Sequence, residues 1–170
     1  MSNNENIKDI HSGTVQICDV AGTYHAIHFK ELIKTAQGCI AEQFIRGEAM
    51  TSPKKSADYF QVLLGSFEHE VFYALWLDSK HQVLKAQELF RGTVDGASVY
   101  PREVIKEGLA CNAAAVIFAH NHPSGVTEPS QADIQITKRL KEALALVDIR
   151  LLDHLVIGAD VTSMAERGLL

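Results

Sequence analysis

The sequence predicts a single α/β domain in which helices flank a mixed β-sheet. Helical and extended patterns of apolar residues alternate along the chain, which is typical of this class. The run AAAVIFAH at residues 113–120 is almost wholly apolar, as expected for a strand that is buried on both faces. With 170 residues, 46% of them hydrophobic and 22% charged, the chain can bury the core that one compact soluble domain needs.

The first part of the chain predicts a polar leader followed by two helices. Residues 1–27 are weakly periodic and have room for one short strand. The second helix takes Ser52 as its N-cap and Pro53 as its first residue, and Gly65 stops it. The first helix covers 28–45 and ends near Gly47, because its apolar residues recur at spacings of three and four: Phe29, Leu32, Ile33, Ala36, Ile40, Phe44 and Ile45.

The remaining elements complete the alternation. Residues 70–92, EVFYALWLDSKHQVLKAQELFRG, predict two strands joined by a turn at 78–80, with Trp76 in the core. Pro101 opens a third helix, and the apolar strand at 113–120 follows it. A fourth helix begins at Ser130, and the run RLLDHLVIG then returns to strand.

Composition excludes several classes of protein. A formal net charge of −5 gives no general attraction to nucleic acid, because that affinity comes largely from Lys and Arg on phosphates. No apolar run approaches the roughly 18 to 20 residues of a membrane span, and MSNNENIKDI lacks the order of a signal peptide, so we expect a cytoplasmic protein. Cys18, Cys39 and Cys111 form no C-x-x-C pair and indicate neither a disulfide framework nor a cysteine zinc cluster.

The stretch AHNHPSGVTEPSQAD at 119–133 predicts a candidate metal site. His120 and His122 directly follow the buried strand, and side chains two apart on a strand point to the same side. Ser130 and Asp133 begin the next helix, and on their own they favour a capping box. In the alternative interpretation Asp133 is a third ligand, and two imidazoles with one carboxylate leave a tetrahedral Zn²⁺ one open position.

The spacing His120-x-His122, seven residues, Ser130, two residues, Asp133 resembles the H-x-H-x7-S-x2-D signature of the JAMM (JAB/MPN+) metallopeptidases. The flanks LFRGTVDGASVYPREVIKEGLACNAAAVIFAHNHPSG and LLDHLVIG are similar to the bacterial RadC (UPF0758) family, from about residue 30 onward. The resemblance implies an MPN domain of cytidine-deaminase-like architecture over 51–170, preceded by a helix within 28–50 and the leader 1–27. It also implies a short form, because residues 1–30 are too few for the helix-hairpin-helix region of longer members.

The resemblance further implies the roles of the site residues. One zinc ion is held by His120, His122 and Asp133, and Ser130 assists the transition state. An upstream glutamate acts as the proton carrier for metal-activated water. Glu70 matches it best, and Glu68 is the alternative because it lies two residues earlier on the same extended segment.

The resemblance implies two functions, and the residues leave a third open. The first is a zinc metallopeptidase or isopeptidase that hydrolyses a peptide or isopeptide bond in an unidentified peptide or protein substrate, without strong nucleic-acid or membrane binding. The alternative is a DNA-repair or mobile-element accessory protein that acts by interaction, with a structural or vestigial zinc site. A metal-dependent nuclease comes third, since one such site lacks the paired-metal carboxylates usual for phosphodiester cleavage.

Four other residues have open roles. Asp153 and His154 are neighbours on a predicted strand, so their side chains point to opposite faces and should not pair with each other. We expect each of them to support either the structure or the metal ligands. Arg91 and Arg102 either line the cleft or remain solvated and ion-paired.

Overall fold

The computed structural model describes residues 13–45, 49–50, 52–92 and 99–170. The chain divides into two compact units, Met1–Ile40 and Ala41–Leu170. The predicted end of the first helix near Gly47 lies outside the described residues. No helix in the described ranges is long and apolar enough to cross a membrane.

The first unit contains a β-hairpin where the sequence predicts room for one short strand. β1 (Thr14–Cys18) pairs antiparallel with β2 (Tyr24–His28). The turn is closed by Asp19, whose Oδ1 accepts the backbone N–H groups of Ala21 and Thr23, each at 2.9 Å. This local carboxylate turn explains why two short and exposed strands form here. The predicted helix follows at once as α1 (Phe29–Ile45).

The second unit is built on one mixed sheet, as predicted. Its strands lie in the order β4-β3-β5-β6-β7. Among the described strands only β5 and β6 pair in parallel, and helix α4 connects them as a crossover. The elements are α2 (Pro53–Leu64), β3 (Val71–Leu77), β4 (Val83–Arg91), α3 (Pro101–Ala110), β5 (Ala115–Asn121), α4 (Gln131–Ala145), β6 (Arg150–Ile157) and β7 (Val161–Ser163).

Local signals account for the element ends. Ser52 Oγ accepts the backbone N–H of Lys55 at 3.3 Å, Pro53 occupies the first turn of α2, and Gly65 is its C-cap, so the predicted limits of this helix are confirmed. Strand β7 was not predicted. It is three residues long and carries no periodic pattern, and its pairing with β6 alone makes it a strand.

Hydrophobic layers cover both faces of the sheet. On one face, Phe60 and Leu64 of α2 pack against Leu75 and Leu155. The layer on the other face contains Trp76, Phe118, Val104 of α3, and Leu140 and Leu144 of α4. Trp76 is fully buried, which confirms its predicted place in the core.

Helix α3 lies unusually close to the sheet at Gly108. A Cβ at this position would stand 2.9 Å from Cζ3 of Trp76 and 2.8 Å from Cδ1 of Ile149. Gly108 therefore allows the helix to pack directly on the indole ring. This contact helps to hold β3 and its neighbour β5 in place, and β5 leads into the candidate site.

Candidate metal centre

Strand β5 delivers the two histidines to the site, but not as the sequence predicts. His120 lies within the strand, opposite Phe72 of β3 and Val156 of β6, and is only 2% exposed. The predicted run 113–120 includes His120, and β5 confirms this; the expectation that both histidines lie beyond the end of the strand is wrong for His120. The strand extends further because β6 continues beside it to Ile157, whose carbonyl accepts the backbone N–H of His122 at 2.8 Å.

Three potential ligand groups converge at this end of β5. Nε2 of His120 lies 3.0 Å from Nε2 of His122. Oδ1 of Asp133 is 3.4 Å from the first of these nitrogens, and Oδ2 is 3.7 Å from the second. The donor atoms of the three residues all lie within 4.8 Å of one another, so the group can hold a metal ion. We call these three residues the His-His-Asp group.

Ser130 and Asp133 form the capping box that the sequence favours. Ser130 Oγ accepts the backbone N–H of Asp133 at 3.1 Å, and Asp133 Oδ2 accepts the backbone N–H of Ser130 at 2.7 Å. The Ser130 hydroxyl also donates to Asp133 Oδ2 at 2.7 Å. Because the cap holds this carboxylate against the two imidazoles, the capping and ligand interpretations describe the same arrangement.

The Asp133 carboxyl is held in its ionised form. Burial alone would raise its pKa, but hydrogen bonds from His120 and Ser130 outweigh burial, so the pKa lies well below its ordinary value. Its side chain is almost fully buried at 3% exposure. An ionised carboxylate beside two imidazoles is the form that binds a divalent cation.

His122 is oriented by the loop that follows it. Its Nδ1 donates to the carbonyl oxygen of Val126 at 2.7 Å, and because a carbonyl only accepts, Nδ1 carries the proton and Nε2 is free to act as a ligand. Gly125 gives this loop its turn with φ of +80°. A Cβ on the neighbouring Gly158 would lie 2.5 Å from the carbonyl oxygen of Gly125, so the loop packs closely on the end of β6.

His120 is supported from behind by His154 of β6. Nδ1 of His120 lies 2.9 Å from Nε2 of His154, which is fully buried. Burial lowers the pKa of His154 well below its ordinary value, and the nearby His120 lowers it further. Asp153 faces elsewhere and accepts from the hydroxyl of Ser163 at 2.6 Å, so the prediction that the adjacent Asp153 and His154 side chains do not pair is confirmed.

The segment before β3 carries the two candidate glutamates. Glu70 is partly buried and lines a cleft of about 310 Å³ together with His120 and Asp133. Glu68 is exposed, and it is not one of the described residues that line this cleft. The structure thus brings Glu70 to the same cleft as His120 and Asp133 of the His-His-Asp group.

Asn121 holds that segment in place. Its Oδ1 accepts the backbone N–H of Val71 at 2.8 Å, and its Nδ2 donates to the carbonyl oxygens of Phe67 and His69 at 3.3 and 3.0 Å. Asn121 lies between the two histidines and points to the opposite face of β5. The sequence does not predict this role, because a single asparagine inside a strand gives no signal of three distant backbone partners.

The wall of the cleft is largely apolar, with Phe72, Phe90, Val99 and Ile136 among its lining residues. Arg139 of α4 also lines it, and no sequence pattern marks this arginine as a cleft residue.

The two arginines proposed from the sequence have other neighbours. Arg91 pairs with Glu88 through two bonds of 2.8 Å. The side chain of Arg102 is 83% exposed beside Glu103. Of the two interpretations of these arginines, this geometry favours the solvated and ion-paired one.

Comparison with known proteins identifies similar chains. The family model described as a RadC-like JAB domain matches residues 50–169. A UPF0758 protein of Marinobacter nauticus is 54% identical over 150 residues, which are 88% of this chain and 67% of that protein. One from Vibrio cholerae is 55% identical over 137 residues, 81% of this chain and 87% of that protein. One from Nitrosococcus oceani is 61% identical over 126 residues, 74% of this chain and 56% of that protein.

Proposed function

We propose, since the chain belongs to the RadC family with its JAB domain, that it is a zinc-dependent metallopeptidase or isopeptidase of JAMM type. The observation that carries the proposal is the convergence of the His-His-Asp group at a cleft that is lined by two of its members, His120 and Asp133, and by Glu70. Metal ligands, a carboxylate and an apolar cleft in one place are the components of a metal-assisted hydrolase.

The chemistry of the donor set fits zinc. Two imidazole nitrogens and one carboxylate oxygen are a typical set for a catalytic zinc site, which keeps one position open. Both imidazoles have their remote nitrogen bonded to a protein group, Val126 O for His122 and His154 for His120, as expected of metal-binding histidines. A Zn²⁺ ion held here would lower the pKa of water and polarise a carbonyl group.

Glu70 supplies the proton transfer in this proposal. Its carboxylate accepts a proton from the attacking water and later delivers that proton to the leaving amine. Its partial burial in the cleft supports this role, because substrate that enters the cleft displaces solvent around the carboxylate. Glu68 is exposed and lacks this setting.

In this proposal Ser130 stabilises the developing oxyanion, and its present hydrogen bonds limit how it can do so. Its hydroxyl proton is directed to Asp133 Oδ2 at 2.7 Å, while its oxygen accepts the backbone N–H of Asp133. The proton must therefore rotate from the carboxylate to the substrate oxygen as charge develops. The capping bond to the backbone is kept during that rotation.

The cleft indicates the kind of peptide that would bind. Its apolar wall, with Phe72, Phe90 and Ile136, suits a large apolar side chain next to the scissile bond. Arg139 on the same cleft offers a cation for a carboxylate or a main-chain carbonyl of the substrate. We infer a peptide or protein substrate on these grounds.

The first experiment measures zinc in the purified protein by elemental analysis, beside His122→Ala and Asp133→Ala. We expect about one zinc per chain in the wild type and a loss of most of it in both variants. His69→Ala and Asp160→Ala are matched controls, because both side chains are exposed and lie outside the His-His-Asp group. A wild-type protein that takes up no zinc after reconstitution contradicts the proposal.

The second experiment measures hydrolysis. The zinc-loaded protein is incubated with a peptide mixture, and the products are identified by mass spectrometry with and without a chelator. Chelator-sensitive cleavage beside large apolar residues is the expected result. Cleavage that survives both the chelator and Asp133→Ala contradicts the metal mechanism.

A further inference from the structure

A chain of three buried hydrogen bonds runs from one proposed metal ligand to another. Nδ1 of His120 bonds to Nε2 of His154 at 2.9 Å, and Nδ1 of His154 bonds to Oγ1 of Thr137 at 2.6 Å. Thr137 Oγ1 then donates to the backbone carbonyl of Asp133. Thr137 and His154 are both fully buried, and the chain links strands β5 and β6 with helix α4.

The direction of these bonds follows from the number of protons. Thr137 has one hydroxyl proton, and the carbonyl of Asp133 can only accept it. Thr137 Oγ1 must therefore accept the N–H of His154 Nδ1. A neutral His154 then presents a lone pair at Nε2, which accepts the N–H of His120 Nδ1. Met164 Sδ, 3.7 Å from Thr137 Oγ1, is a weak acceptor and does not change this order.

Aromatic rings shield the chain from solvent. Phe72 packs edge-on against His154 at 5.2 Å between ring centroids and stacks on His120 with an interplanar angle of 7°. Phe118 meets His154 edge-on at 6.1 Å. Because water has little access here, a ring nitrogen that loses its partner has no substitute.

We propose that Thr137 and His154 are positioning residues that fix His120 in the Nδ1–H tautomer and so direct its Nε2 lone pair into the His-His-Asp group. This inference deepens the proposed metal site and rests on it. Thr137 is particularly suited to this role because its hydroxyl also bonds to the backbone of Asp133, so one side chain sets the approach of two ligands. Nothing in the H-x-H-x7-S-x2-D spacing includes either residue.

The first test needs no substitution. Nitrogen-15 NMR of metal-free wild-type protein with labelled histidine reports which nitrogen of each ring carries a proton. We expect a proton on Nδ1 of both His120 and His154 and a lone pair on Nε2 of His154. A proton on Nε2 of His120, with Nδ1 unprotonated, overturns the inference. This measurement requires neither zinc nor activity, so it is decisive even if the peptidase proposal fails.

The second test measures zinc affinity by competition with a chromophoric chelator. Thr137→Val removes the hydroxyl at constant shape, and we expect zinc binding to weaken 10- to 100-fold, the usual effect of losing a partner of a metal-bound histidine. Thr137→Ser restores the hydroxyl and should bind within about threefold of the wild type. Ser163→Ala, which removes the buried hydroxyl that bonds to Asp153, should leave the affinity unchanged.

Comparison of the Thr137 variants with Ser163→Ala separates a positioning role from general destabilisation. Equal zinc affinity in wild type and Thr137→Val overturns the inference, and so does equal weakening by Thr137→Val and Ser163→Ala. If Thr137→Val does not fold, the zinc affinity of Thr137→Ser and the tautomer spectrum of the wild type still test the inference. A wild type that binds no zinc but shows the expected tautomers refutes the proposed function and leaves the orientation of His120 supported.

Discussion

The side-chain oxygen of Asn121 accepts the backbone N–H of Val71 at 2.8 Å, across 50 positions of sequence. The same amide group donates to the carbonyls of Phe67 and His69. These three bonds attach the segment that contains Glu70 to the strand that carries the two histidines. The Glu70 carboxylate and the His-His-Asp group therefore keep their relative positions through one buried asparagine.

Asn121→Asp tests this attachment. A carboxylate cannot donate to the two carbonyls, so it leaves buried groups unpaired and places a negative charge beside them. We expect the free energy of unfolding to fall by about 2 to 3 kcal/mol, measured by urea denaturation. Asn112→Asp is the matched control, because Asn112 is exposed and should change stability by less than about 0.5 kcal/mol. Equal stability of the wild type and Asn121→Asp contradicts this account.

Glu70→Gln tests the proton carrier. The amide keeps the size of the side chain but cannot take a proton, so we expect hydrolysis to fall about 10²- to 10⁴-fold while zinc content stays unchanged. Cleavage of one susceptible peptide under single-turnover conditions gives the rate. Glu68→Gln is the matched control and should retain the wild-type rate. The opposite order would assign the role to Glu68, the alternative from the sequence.

Arg91→Gln tests the ion pair with Glu88. Arg91 and burial act in opposite directions on Glu88, and the hydrogen bond from Arg91, the larger effect, lowers the pKa of this carboxyl. A carboxyl whose pKa is lower in the folded state stabilises the fold above its unfolded pKa, about 4.3, and loses this contribution as pH falls through the folded value. Since the Arg91 side chain is 60% exposed and solvent screens the pair, we expect only a small loss of stability at pH 7, and we expect that loss to disappear in acid.

Urea denaturation of wild type and Arg91→Gln at a series of pH values checks this expectation. Zinc content and hydrolysis should stay unchanged, because Arg91 is not one of the described residues that line the cleft. A large loss of activity in Arg91→Gln would return this arginine to the catalytic cleft.

The parts of the fold that depend on neighbouring residues were predictable from the sequence. Helix α2 is bounded by Ser52, Pro53 and Gly65, which act within one turn of it. Strand β5 is evident from its continuous apolar run. The exposed hairpin β1–β2 was only partly foreseen, since a buried face is the usual signal of a strand and this hairpin has little buried surface.

The three residues of the His-His-Asp group were predictable because they share one contiguous motif. The residues that support them were not, because their partners are distant in sequence. Asn121 bonds to groups 50 to 54 positions away, and His154 lies 34 positions from His120. The burial of His120 was missed for the same reason, as only the pairing of β5 with β3 and β6 encloses that ring.

Ile136→Ala tests the apolar wall of the cleft. Ile136 lines the cleft from helix α4, and its truncation removes surface that would contact a large apolar side chain of the substrate. For peptides with a large apolar residue beside the scissile bond, we expect kcat/KM to fall about tenfold or more, the usual effect of losing a few methylene contacts. For peptides with alanine at the same position, we expect kcat/KM to change little. Ile134→Ala is the matched control, since Ile134 lies on the same helix and is not among the described lining residues. Equal losses for both kinds of peptide would show that Ile136 supports the fold and does not select the substrate.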